Sequence, residues 1–171
     1  MTLSLSPALE NDLSSMHAIL TICGEHMYRT QGMSHWYPYK NFEIYSAGVQ
    51  SGDVYAIYDD ETLVGTFYVT EKMREWYSTV AWADWSHKAL YFGGFGVLPL
   101  AQGRGIGKWV MTQVDALAIA GDFDALRFDG VAGNPSLMKF YTGLGYQQRG
   151  ILETPYGNNV MTYERLFMEA E

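Results

Sequence analysis

The stretch Val97-Leu98-Pro99-Leu100-Ala101-Gln102-Gly103-Arg104-Gly105-Ile106-Gly107-Lys108 decides the reading of this chain. Upstream of it, Ala89 to Leu98 (ALYFGGFGVL) has the β-rich content of a strand, which Pro99 ends. Glycines 93, 94 and 96 inside that strand mark a bulge, or a place where another group presses on the backbone. Downstream, Gly105 to Ala120 reads as an amphipathic helix with Ile106, Trp109, Val110, Val114 and Leu117 on one face. At a strand–turn–helix junction the first helical amides have no partner within the helix, and the positive end of the macrodipole lies with them. The result is an anion site built from main chain. Gly103, Gly105 and Gly107 keep side chains away, so a phosphate can rest on the backbone, and Arg104 and Lys108 add positive charge. The plain alternative is a glycine turn that merely joins strand to helix. Other phosphate motifs fit less well: no G-x-x-x-x-G-K-[ST] is present, and a G-x-G-x-x-G begun at Gly103 fails at Lys108.

Working outward, Thr2 to Ser6 alternates as a short strand. Leu13, Met16, Ile19, Leu20 and Cys23 then recur at helical steps, with Pro7, Glu10 and Asp12 suited to the helix amino end. Thr30 to Tyr39 (TQGMSHWYPY) reads as a loop, Phe42 to Gln50 as a short helix stopped at Ser51-Gly52, and Val54 to Tyr58 with Leu63 to Thr70 as a hairpin. Residues 71–88 carry Trp76, Trp82 and Trp85 with no clean period and read as a partly helical insertion. Ala125 to Val131 is a strand, Pro135 to Leu144 a helix, and Tyr146 to Leu152 and Val160 to Phe167 the last two strands. This order predicts an α/β or α+β domain with at least one parallel crossover.

A second element lies downstream: Asn134-Pro135-Ser136-Leu137-Met138-Lys139-Phe140-Tyr141-Thr142-Gly143-Leu144-Gly145-Tyr146. The loop from Gln102 to Gly107 resembles the Q/R-x-x-G-x-G/A pyrophosphate loop of GNAT acetyltransferases. The second element is similar to their N-x-x-A-x-x-[FY]-Y-x-x-x-G-F signature, with Leu137 replacing the alanine and Tyr146 the phenylalanine. Two matched elements in order, with a strand between them, are far more specific than either alone. The resemblance covers about Ala89 to Tyr146 and implies a single GNAT domain over residues 1–171. Its fold would be a mixed central sheet of six to seven strands flanked by about four helices.

The resemblance also implies roles. The protein would transfer an acetyl group from acetyl-CoA directly to a primary amine in a ternary complex; a non-catalytic acyl-CoA-binding sensor of the same fold is the alternative. Backbone groups of Phe95 and Val97 would bond the pantetheine arm, with the Val97 amide polarising the thioester carbonyl. Gln102, Gly103, Arg104, Gly105, Ile106, Gly107 and Lys108 would hold the diphosphate. Asn134 would bond the arm or cap its helix. Tyr141 would be the acid that reprotonates the thiolate, or else a ring that only packs against the sulfur. His35, Trp36, Tyr37, Glu71 and Trp76 are candidates for the acceptor pocket, with Trp82 on the same wall. Glu71, Asp84 and His87 are open candidates for the base, and Asp129 reads as structural. A homodimer is a family habit.

Composition sets outer limits. Thirteen tyrosines and five tryptophans in 171 residues exclude a low-complexity chain. Eleven basic against nineteen acidic residues, a formal charge of −8, argue against nucleic acid and suit a cationic substrate. Cys23 is the only cysteine, so no intrachain disulfide forms, and its apolar spacing marks it as core rather than nucleophile. No window approaches the ~20 apolar residues that span a bilayer, and residues 1–6 lack a signal-peptide pattern. A cytoplasmic protein with no membrane partner and no metal is expected.

Overall fold

The computed structural model describes residues 1–167. Its elements are β1 (Leu3–Pro7), α1 (Leu13–Gln31), α2 (Glu43–Ser51), β2 (Val54–Asp59), β3 (Thr62–Thr70), β4 (Ala89–Val97), α3 (Ile106–Ala120), β5 (Ala125–Val131), α4 (Pro135–Gly143), β6 (Gln147–Glu153) and β7 (Asn159–Leu166). The strands form one seven-stranded mixed sheet in the order β1-β2-β3-β4-β5-β7-β6. β4 and β5 run parallel, with α3 as the crossover between them. β1–β2, β2–β3, β5–β7 and β6–β7 are antiparallel. This is the GNAT arrangement expected from the two motifs.

Pro7 departs from the expectation. It ends β1 opposite Tyr55 instead of opening the helix. β1 is an edge strand, where a missing N–H costs the ladder little. The chain then makes a 3-10 turn at Glu10–Asp12, in which Asp12 Oδ2 accepts the Leu9 N–H at 2.8 Å, and α1 begins only at Leu13.

Two compact units make up the chain, and β4 and α3 contribute to both: Met1–Val69 with Gly94–Trp109, and Thr70–Gly93 with Val110 onward. In the first unit, Met16 and Leu20 of α1 and Tyr45 of α2 are buried with Val54, Ala56 and Tyr68 of the hairpin. Each such large apolar side chain contributes roughly 1.5–3 kcal/mol by leaving water.

In the second unit, β5 reads ALRFDGV and alternates between its two faces. Phe128 packs against Tyr141, Tyr146 and Tyr163, with ring centroids at 4.8, 5.1 and 5.2 Å. The face carrying Ala125 meets residues 71–88: Tyr77, Val80 and Trp82 cluster with Ala89, Tyr91 and Ala125. The only helical piece there is one 3-10 turn, Glu75–Thr79. Side chains hold the rest. Buried Glu164 accepts from Arg127 Nε at 2.9 Å, Arg149 Nε at 2.7 Å and the Ala83 amide at 2.9 Å, while Arg127 Nη2 donates to the Asp84 carbonyl at 2.6 Å. Trp82, expected on an acceptor wall, is instead buried, with the Arg127 guanidinium 5.0 Å from its ring.

Candidate active site

The end of β4 is fixed within the first unit. Leu98 N donates to Val64 O at 2.8 Å, so the backbone groups of Leu98 and, two residues back, Gly96 face β3. By alternation those of Phe95 and Val97 face the opposite edge. The β4–β5 ladder has three pairs and ends at Tyr91↔Arg127, so Phe95 and Val97 lie beyond it. The Val97 carbonyl is held twice, by Cys23 Sγ at 3.2 Å and by Gln102 Nε2 at 2.9 Å. Burial raises the Cys23 thiol to about 12, which leaves it a weak donor to that carbonyl and no nucleophile. Gln102 thus spends its side chain tying the loop to the strand end.

The glycines of β4 have local reasons. Gly94 sits at φ 61°, and its carbonyl accepts from the Tyr45 hydroxyl; a Cβ there would strike that hydroxyl. A Cβ on Gly96 would stand 3.0 Å from Leu20 Cδ2 and 3.3 Å from the Trp36 ring. Of the two readings left open for these glycines, Gly94 shows a group pressed on the backbone, the Tyr45 hydroxyl.

After a 3-10 turn at Pro99–Ala101, Gly103 and Gly105 adopt φ of 74° and 82°, and a Cβ at either would meet nothing within 4 Å. Trp109 N donates to Gly105 O at 3.1 Å, which places Gly105 at the turn that opens α3, where helix amides point out of the amino end. The Ile106 side chain is buried core, which anchors the turn beneath those amides. The surface at the loop is open and glycine-lined, and it fits a diphosphate.

Arg104 has a partner within the protein. Its Nη2 lies 2.8 Å from Asp59 Oδ2 at the end of β2, while Asp59 Oδ1 is buried and accepts nothing among the described residues. One arginine's reach from the loop there is a carboxylate that competes with a diphosphate for that guanidinium. Asp59→Asn is expected to tighten acetyl-CoA binding about twofold to fivefold, less at high salt. Calorimetry at two ionic strengths checks this; an unchanged affinity shows that Arg104 does not turn to the ligand.

In the second unit Asn134 caps α4, its Oδ1 accepting the Leu137 amide at 3.1 Å. Tyr141 is buried under Phe128 and beside Gly130, where a Cβ would stand 3.4 Å from its ring. Burial holds the Tyr141 hydroxyl well above the usual tyrosine range, with Tyr163 and Asp129 adding to the shift. It therefore stays protonated across physiological pH and always offers a donor.

The remaining candidates are scattered. Trp36 packs on Gly24 and Gly96, whereas Tyr37 stacks on Tyr28 at 4.5 Å on the exposed side of α1; His35 tilts against Trp36 at 6.2 Å. Glu71 is exposed. Asp84 accepts the Ser86 amide and hydroxyl, bonds that hold its carboxyl below the usual range, so it caps a turn. His87 Nδ1 is buried without a partner among the described residues. Trp76, in contrast, joins a group absent from the sequence-based candidates: Arg74, Tyr77 and Asp129. Arg74 Nη1 and the Tyr77 hydroxyl each lie 2.5 Å from Asp129 Oδ2, and the Arg74 guanidinium is 5.5 Å from the Trp76 ring. The sign available in the sequence was the alternation of β5, which puts Arg127 and Asp129 on the face of the 71–88 segment.

Among the described residues no helix is long and apolar enough to cross a membrane. Residues 13–146 match the model of the acetyltransferase (GNAT) family. The chain is 26% identical over 148 residues to an uncharacterized N-acetyltransferase, YesJ, of Bacillus subtilis, covering 84% of this chain and 81% of that one. A GNAT-family acetyltransferase of Streptococcus agalactiae superposes with a TM-score of 0.82 at 18% identity, over 98% of this chain and 96% of the other. A PaiA N-acetyltransferase of Thermoplasma acidophilum in complex with coenzyme A superposes at 0.69 and 15% identity, over 98% and 100%. A glycine-cushioned amide cradle, a capped Asn–Tyr helix and a family match across both place this chain in the GNAT acetyltransferase family, as an acetyl-CoA-dependent acyltransferase.

Proposed function

We propose that the protein, working as one catalytic domain, is an N-acetyltransferase that acetylates a primary amine by direct attack on acetyl-CoA, without an acyl-enzyme. The observation that carries this is the strand–turn–helix junction at the start of α3, where Gly103 and Gly105 take positive φ and a Cβ at either would meet nothing within 4 Å. The amides of that junction, with Gly103, Lys108 and a released Arg104, hold the diphosphate. Gln102 and Ile106 act from beneath, one tying the loop to Val97 and the other filling the core. The edge-facing backbone of Phe95 and Val97 binds the pantetheine amides. The Val97 amide donates to the thioester oxygen as negative charge develops there, next to the Val97–Leu98 peptide whose carbonyl Cys23 and Gln102 hold in place. Positioning and this donor supply most of the rate.

Asn134 keeps α4 in register for Tyr141. With a hydroxyl that burial keeps protonated, Tyr141 donates a hydrogen bond that stabilises the leaving thiolate. The proton that the amine loses on forming the amide passes by way of solvent to the thiolate, which leaves as the thiol, so that Tyr141 ends the step unchanged. His35, Trp36 and Tyr37 of the first unit and Glu71 and Trp76 of the second are the residues we propose for acceptor contact. The likeness to spermidine and peptide N-acetyltransferase structures, at 17% identity each, keeps both small amines and peptide amino termini within range. Dimerisation and a cytoplasmic location accompany this reading.

Calorimetry with acetyl-CoA tests the donor assignment: no binding at millimolar concentration overturns it. Tyr141→Phe is expected to lower kcat about tenfold to hundredfold with the acetyl-CoA affinity unchanged, read by thiol release. Asp84 is committed to capping, Glu71 is exposed and His87 Nδ1 is buried without a partner among the described residues, so none is assigned as base, and this favours a second reading, a module that holds CoA without turnover. Thiol release that no amine accelerates above hydrolysis, together with intact acetyl-CoA binding, would select it.

A further inference from the structure

We propose that Asp129, braced by Arg74 and Tyr77, is the carboxylate that binds the ammonium group of the acceptor, and that the acceptor is an alkylammonium rather than a neutral or anionic molecule. The proposal rests on the N-acetyltransferase reading and specifies the recognition of its second substrate.

Three features of the second unit lead to it. Asp129 is the second residue of β5 past the last β4–β5 pair, Tyr91↔Arg127, so it stands where that ladder has opened. Its carboxylate is used unevenly. An arginine facing a carboxylate commonly engages both oxygens. Here Arg74 Nη1 and the Tyr77 hydroxyl both go to Oδ2, and they also approach each other at 3.0 Å, while Oδ1 accepts no hydrogen bond among the described residues. The side chain is 15% exposed and Oδ1 is not among the buried atoms without a partner, so Oδ1 is the oxygen that solvent, or a ligand, can reach. Two donors on one oxygen fix the direction of the other.

The surroundings of that oxygen suit an organic cation. Trp76 is joined to the pair through Arg74, whose guanidinium lies 5.5 Å from its ring, and it packs edge to face with Tyr156 at 6.0 Å, which is 66% exposed. Such rings attract a cation through their faces and cover an alkyl chain with their area. The indole N–H of Trp76 is buried and has no partner among the described residues. A carboxylate oxygen beside aromatic rings is the chemistry that recognises R–NH3⁺, and the chain's net charge of −8 favours the approach of such a cation.

The structural alternative is an ion pair that only pins Arg74 of the 71–88 segment to β5. The two readings differ in ligand response. The full-length protein is titrated with n-butylammonium chloride and with 1-butanol, each against sodium chloride of matched ionic strength, following the indole resonance of Trp76. Acetyl-CoA affinity is measured in parallel by calorimetry. A saturable shift with n-butylammonium is expected, with 1-butanol at least about tenfold weaker, and Asp129→Asn is expected to weaken the ammonium about tenfold while leaving acetyl-CoA affinity unchanged. For an alkylamine that is turned over, Asp129→Asn raises KM and leaves kcat at saturation within about twofold.

Equal response to amine and alcohol, or no saturable response at all, overturns the proposal on the wild-type protein alone, whether or not the variant folds. A fall in kcat at unchanged KM overturns it too, because Asp129 would then handle a proton instead of a charge. Failure of acetyl-CoA binding with an intact ammonium response would sink the enzyme reading and leave the cation site standing.

Discussion

Replacing Gly105 with valine is expected to lower acetyl-CoA affinity by about a hundredfold or more while the protein still folds. Gly105 sits at φ 82°, which β-branched residues adopt only under strain of about 1–3 kcal/mol, so the melting temperature falls by several degrees. The larger effect is local. A Cβ at this position meets nothing within 4 Å, so nothing inside the protein excludes a side chain. What the isopropyl group displaces is the ligand. Losing two charge-assisted bonds to the diphosphate, at roughly 1.5–3 kcal/mol each, accounts for the hundredfold. Calorimetry on a variant whose circular dichroism is unchanged reads it directly. A folded Gly105→Val with wild-type affinity would show the turn to be a plain connector, and the donor assignment would fall with it.

The second large effect is on stability. Glu164 is 0% exposed and faces Arg127, 2% exposed, and Arg149, 21% exposed. Removing its charge with Glu164→Gln leaves one guanidinium buried and another half-buried with no counter-ion. Breaking one partner of such a buried pair costs about 3–5 kcal/mol, even though the intact pair adds little over an apolar replacement. The urea midpoint is expected to fall accordingly. Glu164 Oε2 also accepts the Ala83 amide and Arg127 holds the Asp84 carbonyl, so residues 71–88 should become cleavable by protease under native conditions before the rest. A loss below about 1 kcal/mol would mean that water reaches these groups and that the cluster is not a clamp.

Most of the architecture was legible in one dimension because most of it is local. The period of α1, the stop at Gly52, the hairpin around Asp59–Glu61 and the exact span of β5 are written in residues within a few positions of each other. Pro7 was misplaced because proline tolerates both a helix start and the end of an edge strand, and only pairing with β2 chooses between them. The 71–88 segment showed no period because it has almost no ladder of its own; its order comes from Arg127, Arg149 and Glu164, 39 or more positions along the chain from its last residue, Lys88.

The candidate site divides in the same way. The amide cradle was readable because a strand, a glycine turn and a helix in succession create unpaired N–H groups wherever they occur. The partners of its side chains were not: Gln102 turns to Val97, Arg104 to Asp59, and Cys23 to the Val97 carbonyl across 74 positions.

The two motifs in sequence were enough to point to the GNAT family, which the family match over residues 13–146 bears out, and the strand–glycine turn–helix succession marked where we propose the diphosphate binds, because both signals are local in the chain. Only the tertiary structure decided which side chains are committed elsewhere and which carboxylate keeps an oxygen open. Asp84 and Asp129 look alike as letters in a string. Their difference lies in neighbours brought together by folding: Ser86 closes the first onto its own turn, whereas Arg74 and Tyr77 occupy one oxygen of the second and leave the other exposed to a ligand.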